Sequence, residues 1–280
     1  TVIHCLGVMT AILLTLPEDG SEDYSGQIKF CFGPGSDPKH QGVVEKRFGV
    51  PLIEAWAMTE SGAGGMTIAY KEPRNVGQRC IGPPIDSMEY RVVDEQDVDV
   101  PAGEPGELLV RAKGENPRLN FFSGYYKDPA ATDEGWKGGW WHTGDVVREG
   151  DGGSLYFVDR RKNVIRRSGE NIAAVEVEAV LLQHPDVDGC VVCAVPDEMR
   201  GDEVFSFVIN KKGASERDIF DHCMAHLTYF KVPGYIAFVT ELPLTASQKV
   251  SRGEIKQMAR ERLASNDCVD LREFKKRNKA

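Results

Sequence analysis

The chain has 280 residues, 41% of them hydrophobic and 28% charged, and 34 basic against 43 acidic side chains leave a formal net charge of -9. That length accommodates one large domain or two and buries a substantial core. The acidic balance gives no electrostatic help toward nucleic acid or anionic lipid, so neither is expected as a partner, although a local basic cluster can still hold a phosphorylated ligand.

The opening stretch TVIHCLGVMTAILLTL is too short and mixed to span a membrane and has no basic leader, so it reads as a buried strand and helix. The first residue is Thr1 rather than Met, which points to a processed, trimmed or partial chain. GQIKFCFGPGSDP reads as a strand and a Gly-Pro-Gly turn. PKHQGVVEKRFG reads as a short amphipathic helix stopped by Gly49, and VPLIEAWAMTESGAGG as a strand entering a Gly-rich loop. This alternation predicts an α/β layer over residues 1–70. From 71 to 161 the segments shorten to β-like runs such as MEYRVVDE and GELLVRA between Gly and Pro turns, predicting a β-rich subdomain that completes a large domain, 1–161.

Residues 162–280 read as a small α+β domain, with the junction in the charged stretch Asp159-Arg160-Arg161-Lys162-Asn163. VIRRSGENIAAVEVEAVLLQHPDV predicts a strand, a Ser-Gly-Glu-Asn loop and an amphipathic helix with Ile172, Val175, Ala179, Leu181 and Leu182 near one face. VDGCVVCAVPD, EVFSFVINKKG and GYIAFVTELP read as strands, and SERDIFDHCMAHL as a helix N-capped by Ser215. Seven cysteines in apolar contexts favour reduced thiols and a cytoplasmic protein over a disulfide framework. Cys190 and Cys193 form a CxxC on a strand, where residues three apart point to opposite faces, so chelation is not expected. His222 and His226 stand four apart on a helix without a third ligand in sight, so a plain helix surface is favoured over zinc.

Four stretches can carry chemistry. Met58-Thr59-Glu60 ends a strand and runs into a flexible Gly loop, where a hydroxyl beside a carboxylate suits a phosphate and its Mg2+. In GWWHTGDVV, Asp145 follows a tight turn; such a carboxylate holds vicinal ribose hydroxyls, and equally occurs as an ordinary turn residue. FVDRRKNVIRRSGENI carries Arg160, Arg161, Lys162, Arg166 and Arg167; a solvated charge run is the usual meaning, but here it spans a domain junction and enters a Gly loop, which brings in phosphate contact, as to CoA, or a hinge. ELPLTASQKVSRGEI presents Lys249 in a polar loop. No Walker-type phosphate loop occurs.

MTE, GWWHTGD, DRRKNVIRRSGENI and LPLTASQKVSR, in that order and spacing, resemble the later half of the acyl-adenylate-forming enzymes, which include acyl-CoA synthetases, luciferases and peptide-synthetase adenylation domains. The resemblance covers nearly all 280 residues. SGENIAAVEVE looks closest to the acyl-CoA synthetases, and TVIHCLG is similar to crotonobetaine/carnitine-type CoA ligases. The resemblance implies ATP or AMP, Mg2+, CoA and a small carboxylic acid as ligands. It implies that Gly33, Pro34, Gly35 and Trp56 pack on adenine, Trp56 standing where the family usually has a tyrosine. Asp145 would hold the ribose with Arg160 assisting, Thr59 would contact phosphate, and Glu60 would hold Mg2+. Lys162 would be a hinge for a mobile C-terminal domain, Ser168 and Gly169 would border the pantetheine path, and Lys249 would reach the carboxylate and α-phosphate during adenylation. Two departures stand against the pattern: Gln248 replaces the usual Gly, and the family's upstream Ser/Thr/Gly-rich phosphate loop is not found. The expected activity is therefore that of an incomplete ATP-dependent acyl-CoA synthetase. The alternatives are an inactive nucleotide- or CoA-binding fragment and an enzyme that loads a carrier protein. Homo-oligomerisation is left open.

Overall fold

The computed structural model describes residues 1–275 apart from 6, 19, 212 and 246–248, and without the side chains of 7 and 8. The chain divides into two compact units, Thr1–Val158 and Asp159–Ala280.

The first unit opens with β1 (Val2–His4), α1 (Gly7–Thr15), β2 (Phe30–Phe32), α2 (Pro38–Phe48) and β3 (Leu52–Ile53). The three strands form a parallel sheet in the order β1-β2-β3, with Ile3 opposite Cys31 and Phe32 opposite Ile53. The ends of α2 are written in its sequence. Asp37 accepts the Lys39 amide, Pro38 tolerates the first turn, and Gly49 closes the helix at φ 64. The expected burial of the opening stretch does not hold for its strand: β1, at the edge of this sheet, is exposed, as are Met9 and Ile12 of α1, whereas Cys5 and Thr10 are buried.

The single strand expected before the Gly loop is two. After β3, one residue, Glu54, intervenes before β4 (Ala55–Trp56), which leaves the parallel sheet and pairs antiparallel with β5 (Thr67–Ile68). The β-rich part follows as β6 (Cys80–Gly82), β7 (Met88–Val93), β8 (Pro105–Ala112), α3 (Pro129–Gly135), β9 (Trp141–Glu149) and β10 (Leu155–Arg160), with the sheet ordered β6-β10-β9-β8-β7. The helix α3 interrupts the expected run of strands, and Asp128-Pro129 carries its signal: Asp128 caps the Ala131 amide and Pro129 occupies the first turn. Trp56, Leu108, Trp136, Trp141, Val147 and Leu155 pack the core here.

The second unit runs β11 (Val164–Arg167), β12 (Glu170–Ala173), α4 (Ala174–Leu181), β13 (Val187–Asp197), β14 (Gly201–Asn210), α5 (Glu216–His226), β15 (Tyr235–Phe238), α6 (Arg252–Ala264) and β16 (Val269–Asp270). Its sheet is ordered β12-β11-β14-β15-β16, with β13 on β14. Period-two alternation sorts the strands: Val192, Val204 and Val208 face the layer of α4 and α5, while Val191, Phe205 and Phe207 face α6. The CxxC follows suit: Cys190 joins the first layer and Cys193 the second. No disulfide occurs among the described residues, which include all seven cysteines. Ser215 caps α5 through a reciprocal box with Asp218. The buried face of α4 is Ala174, Val177, Val180 and Leu181; of the expected set Leu181 is on it, while Val175, Ala179 and Leu182 are not, and Ile172 is buried in β12, two residues before the helix begins.

Candidate active site

In the first unit the strand-to-strand switch at Glu54 brings several predicted residues together. The Gly33-Pro34-Gly35 turn leaves β2; Gly33 donates its amide to Ile53 O at 2.9 Å, and Ser36 Oγ closes the turn on Gly33 O at 2.8 Å. Gly33 has no room for a side chain, since a Cβ there would lie 2.4 Å from Leu52 Cδ1. Trp56 on β4 is buried, and its indole Nε1 donates to Asp145 Oδ2 at 2.8 Å across 89 positions of sequence. The residues read as adenine-side and ribose-side therefore touch directly.

Asp145 owes its position to an irregular ladder. Glu107 pairs with Val146 but Leu109 pairs with His142, so β9 carries two more residues than β8 between these pairs. The surplus falls within Thr143-Gly144-Asp145, three residues opposite Leu108 alone, with Gly144 at φ 67. Thr143 Oγ1 ties it to Leu108 O at 2.7 Å and accepts the Asp145 amide at 3.1 Å, and Glu107 Oε1 accepts the Gly144 amide at 3.0 Å. Asp145 ends 4% exposed, a buried carboxylate aimed by a bulge rather than an ordinary surface-turn residue.

Thr59 is exposed and Glu60 half-buried at the end of the same segment. Tyr125 Oη donates to Glu60 Oε1 at 2.8 Å, and the carboxylate and burial push that phenol up to about 12, burial contributing most. The Gly loop after Glu60 is braced rather than flexible. Buried Ser61 donates to Gly65 O at 2.7 Å, and a Cβ on Gly64 would fall 2.5 Å from the Phe121 ring. One carboxylate beside an exposed hydroxyl, both oxygen donors, suits a Mg2+ that keeps water and phosphate as its other ligands.

In the second unit the predicted residues occupy three loops. Lys162 is exposed in a 3-10 turn, Arg161–Asn163, whose carbonyl accepts Lys256 Nζ at 2.5 Å. Asp159, which the sequence marks only as part of the charged junction, is 2% exposed and staples this region. It accepts the Arg160 amide at 2.6 Å, Asn163 Nδ2 at 3.3 Å and the Val175 amide of α4 at 3.3 Å. Arg160 itself is exposed.

Ser168 and Gly169, at φ 53 and φ 86, are the exposed two-residue turn between β11 and β12, with Arg167 opposite Glu170. Glu170 and Asn171, expected in a loop, are strand. Arg167 does not face solvent as a phosphate contact would. It is 4% exposed and donates from Nε to Glu203 at 2.9 Å, and Lys275 Nζ meets the same carboxylate at 2.5 Å. Lys249 is exposed on a small hairpin in which Leu244 bridges Val250 and the Thr245 amide donates to Lys249 O at 2.7 Å. Gln248 lies outside the described residues. His222 and His226 pack ring to ring at 4.5 Å, and no group of three or more His, Cys, Asp or Glu that could hold a metal ion occurs among the described residues.

The family model described as AMP-binding enzyme matches residues 1–126, and that described as AMP-binding enzyme C-terminal domain matches residues 176–249. A crotonobetaine/carnitine–CoA ligase of Salmonella typhi is 31% identical over 259 residues, 91% of this chain and 49% of the relative. The chain thus spans about half the length of the curated relatives it matches. Among solved structures, o-succinylbenzoate CoA synthetase from Bacillus subtilis, in complex with its acyl-adenylate intermediate, superposes at TM-score 0.77 and 25% identity, covering 91% of this chain and 51% of that one. An amide bond synthetase from Marinactinospora thermotolerans superposes at TM-score 0.76 and 26% identity, covering 92% and 52%.

Proposed function

Because the chain belongs to the AMP-binding family of acyl-adenylate-forming enzymes, whose fold it has, we propose that it serves an ATP-dependent acyl-CoA synthetase. The complete reaction joins a carboxylic acid and ATP as acyl-adenylate with loss of pyrophosphate, then passes the acyl group to the CoA thiol with loss of AMP. The observation that carries this reading is the buried Asp145, aimed by a bulge and held by the Trp56 indole. In it, Asp145 with Arg160 takes the ribose hydroxyls, the turn and Trp56 face the base, and Thr59 meets phosphate. Glu60, oriented by Tyr125, would hold a Mg2+ that neutralises phosphate charge. Lys249 supplies a point charge where negative charge develops in adenylation. Lys162 is the hinge of a mobile C-terminal domain, 162–280, and the Ser168-Gly169 turn borders the path of the CoA thiol. The reaction belongs in the cytoplasm, where the seven thiols stay reduced.

The relatives named as CoA ligases favour CoA as acceptor. The burial of Arg167 removes one cation from the set that would face CoA phosphates, so a phosphopantetheinyl carrier protein is the acceptor to test beside it. The experiment combines AMP and ATP binding with AMP release in the presence of Mg2+, CoA or carrier, and short, medium, aromatic and betaine-type acids. Nucleotide binding that Asp145→Ala weakens by at least about tenfold is expected, the loss of a buried charge-assisted contact. Acid-dependent AMP release identifies the acid class. Nucleotide binding without turnover identifies a binding module whose chemistry needs more than these residues, and no nucleotide binding by folded protein overturns the reading.

A further inference from the structure

Two of the seven cysteines meet in the first unit. In the parallel pair of β1 and β2, Ile3 stands opposite Cys31. Side chains two apart on an extended chain share a face, so Cys5 leans over the same side of the sheet as Ile3 and Cys31. The Cys5 amide prolongs the ladder past the end of β1 by donating to Phe32 O at 2.8 Å. Both thiols are buried in one cluster with Val44, Val50 and Leu52, and Cys31 Sγ lies 2.8 Å from Cys5 Sγ. A disulfide needs the sulfurs to close to about 2.05 Å, which asks for a small rotation of these side chains and little of the backbone. Cys190 and Cys193, by contrast, are directed into different layers.

A thiol reacts as its thiolate, and burial pushes Cys31 up to about 12, the contact with Cys5 adding to the shift. Closed, the pair is therefore inert. Its cover is slight. β1 is three residues long with every side chain exposed, it pairs along one side only among the described residues, and Met9 and Ile12 of α1 face solvent. Segments with few buried contacts open locally at a fraction of the cost of global unfolding. Lifting β1 from β2 admits a small reagent to both sulfurs, and its return brings them together again.

We propose that Cys5 and Cys31 are an oxidation site, which a small disulfide such as glutathione disulfide converts to an intramolecular disulfide that fastens β1 to β2. One cysteine thiolate attacks the small disulfide and releases one small thiol, and the second cysteine thiolate then displaces the other from the mixed disulfide. The protein gives up two thiol protons and two electrons, and the small disulfide leaves as two thiols. The new bond closes a loop that contains all of α1, so it restricts the unfolded chain as well as the edge strand. At the ordinary glutathione poise of the cytoplasm the pair stays reduced, and it closes under an oxidising one. The site is independent of the adenylate chemistry proposed above.

The test holds the folded 280-residue chain at a series of ratios of glutathione disulfide to glutathione, alkylates the remaining thiols and maps the digest by mass spectrometry. A peptide pair joining Cys5 to Cys31 within one chain is expected, at least about tenfold more abundant than any other cysteine link, and dithiothreitol should remove it. In the linked chain the Cys5 amide should exchange at least about tenfold more slowly. The thermal transition of the first unit should rise by about 5 °C or more. Cys5→Ser and Cys31→Ser should each abolish the link and both gains, with Ala in place of Ser wherever the Ser variant does not fold. Folded parent that gains no link at the most oxidising ratio overturns the proposal. So does glutathione retained on Cys5 or Cys31 without closure. A link that appears only once urea has unfolded the chain also overturns it, since the folded state would then not bring the thiols together. A link that leaves exchange at the Cys5 amide unchanged refutes the fastening of β1.

Discussion

Lys249 and Glu54 are opposite kinds of ionisable residue. Lys249 is exposed on a hairpin, and its proposed work needs only a charge that arrives at the right time. With turnover established, Lys249→Ala is expected to slow acyl-adenylate formation by about a hundredfold or more, while thioester formation from preformed acyl-adenylate falls only a few fold. Equal loss in both half-reactions refutes the assignment. Glu54 is buried, and desolvation pushes its carboxyl up to about 7, against the pull of the Gly35, Ala55 and Ser36 amides and of Arg79. Between its ordinary 4.5 and about 7 the folded protein keeps a proton that the unfolded chain releases. Stability from this residue is therefore greatest in acid and falls as pH rises to about 7, by on the order of 3 kcal/mol. Urea unfolding at about pH 5 and about pH 8 should show a drop of roughly that size in the parent beyond the drop in Glu54→Gln. Parallel pH profiles would refute it.

At the scale of elements, two irregularities do the positioning. The extra residues in β9 turn Asp145 inward, and the switch from β3 to β4 sets Trp56 against it. In the second unit the contrast between ion pairs tells which ones fasten elements together. Glu203 of β14 is fully buried between Arg167 of β11 and Lys275 near the chain end. Glu203→Gln leaves two cations short of a counter-charge and is expected to cost about 3 kcal/mol or more. Arg217–Asp221, on the exposed face of α5, has both side chains about half exposed, and Asp221→Asn should cost no more than about 0.5 kcal/mol. Urea denaturation of the two variants measures the difference, and comparable losses would show that Glu203 does not bind the three segments.

For the whole molecule, the division at 158/159 separates two sets of cores. The second unit covers both faces of its sheet with its own helices, so a chain beginning at Asp159 is expected to fold alone, with a cooperative urea transition and dispersed amide resonances. A broad, non-cooperative transition would show that it depends on the first unit. The first unit differs: β1 and the outer residues of α1 leave apolar side chains exposed, including Val2, Ile3, Met9 and Ile12.

Local chemistry is legible in the residues themselves. Asp37, Pro38 and Gly49 bracket α2, Ser215 starts α5, and alternation sends Cys190 and Cys193 to opposite faces of β13. The motifs around Thr59, Asp145, Lys162 and Lys249 likewise point to the family, because each needs only its neighbours in sequence to be recognised. What needed tertiary structure was every relation across sequence distance. The Trp56–Asp145 bond, the hold of Glu54 on Gly35, the Tyr125–Glu60 contact and the removal of Arg167 into a buried pair with Glu203 belong to residues between 19 and 89 positions apart. Hydrophobic pattern and turn chemistry specify which segments become strands or helices. The surplus residues in β9 and the switch between sheets are set by how those segments pair, and it is pairing that decides which carboxylate is buried and which amide it meets.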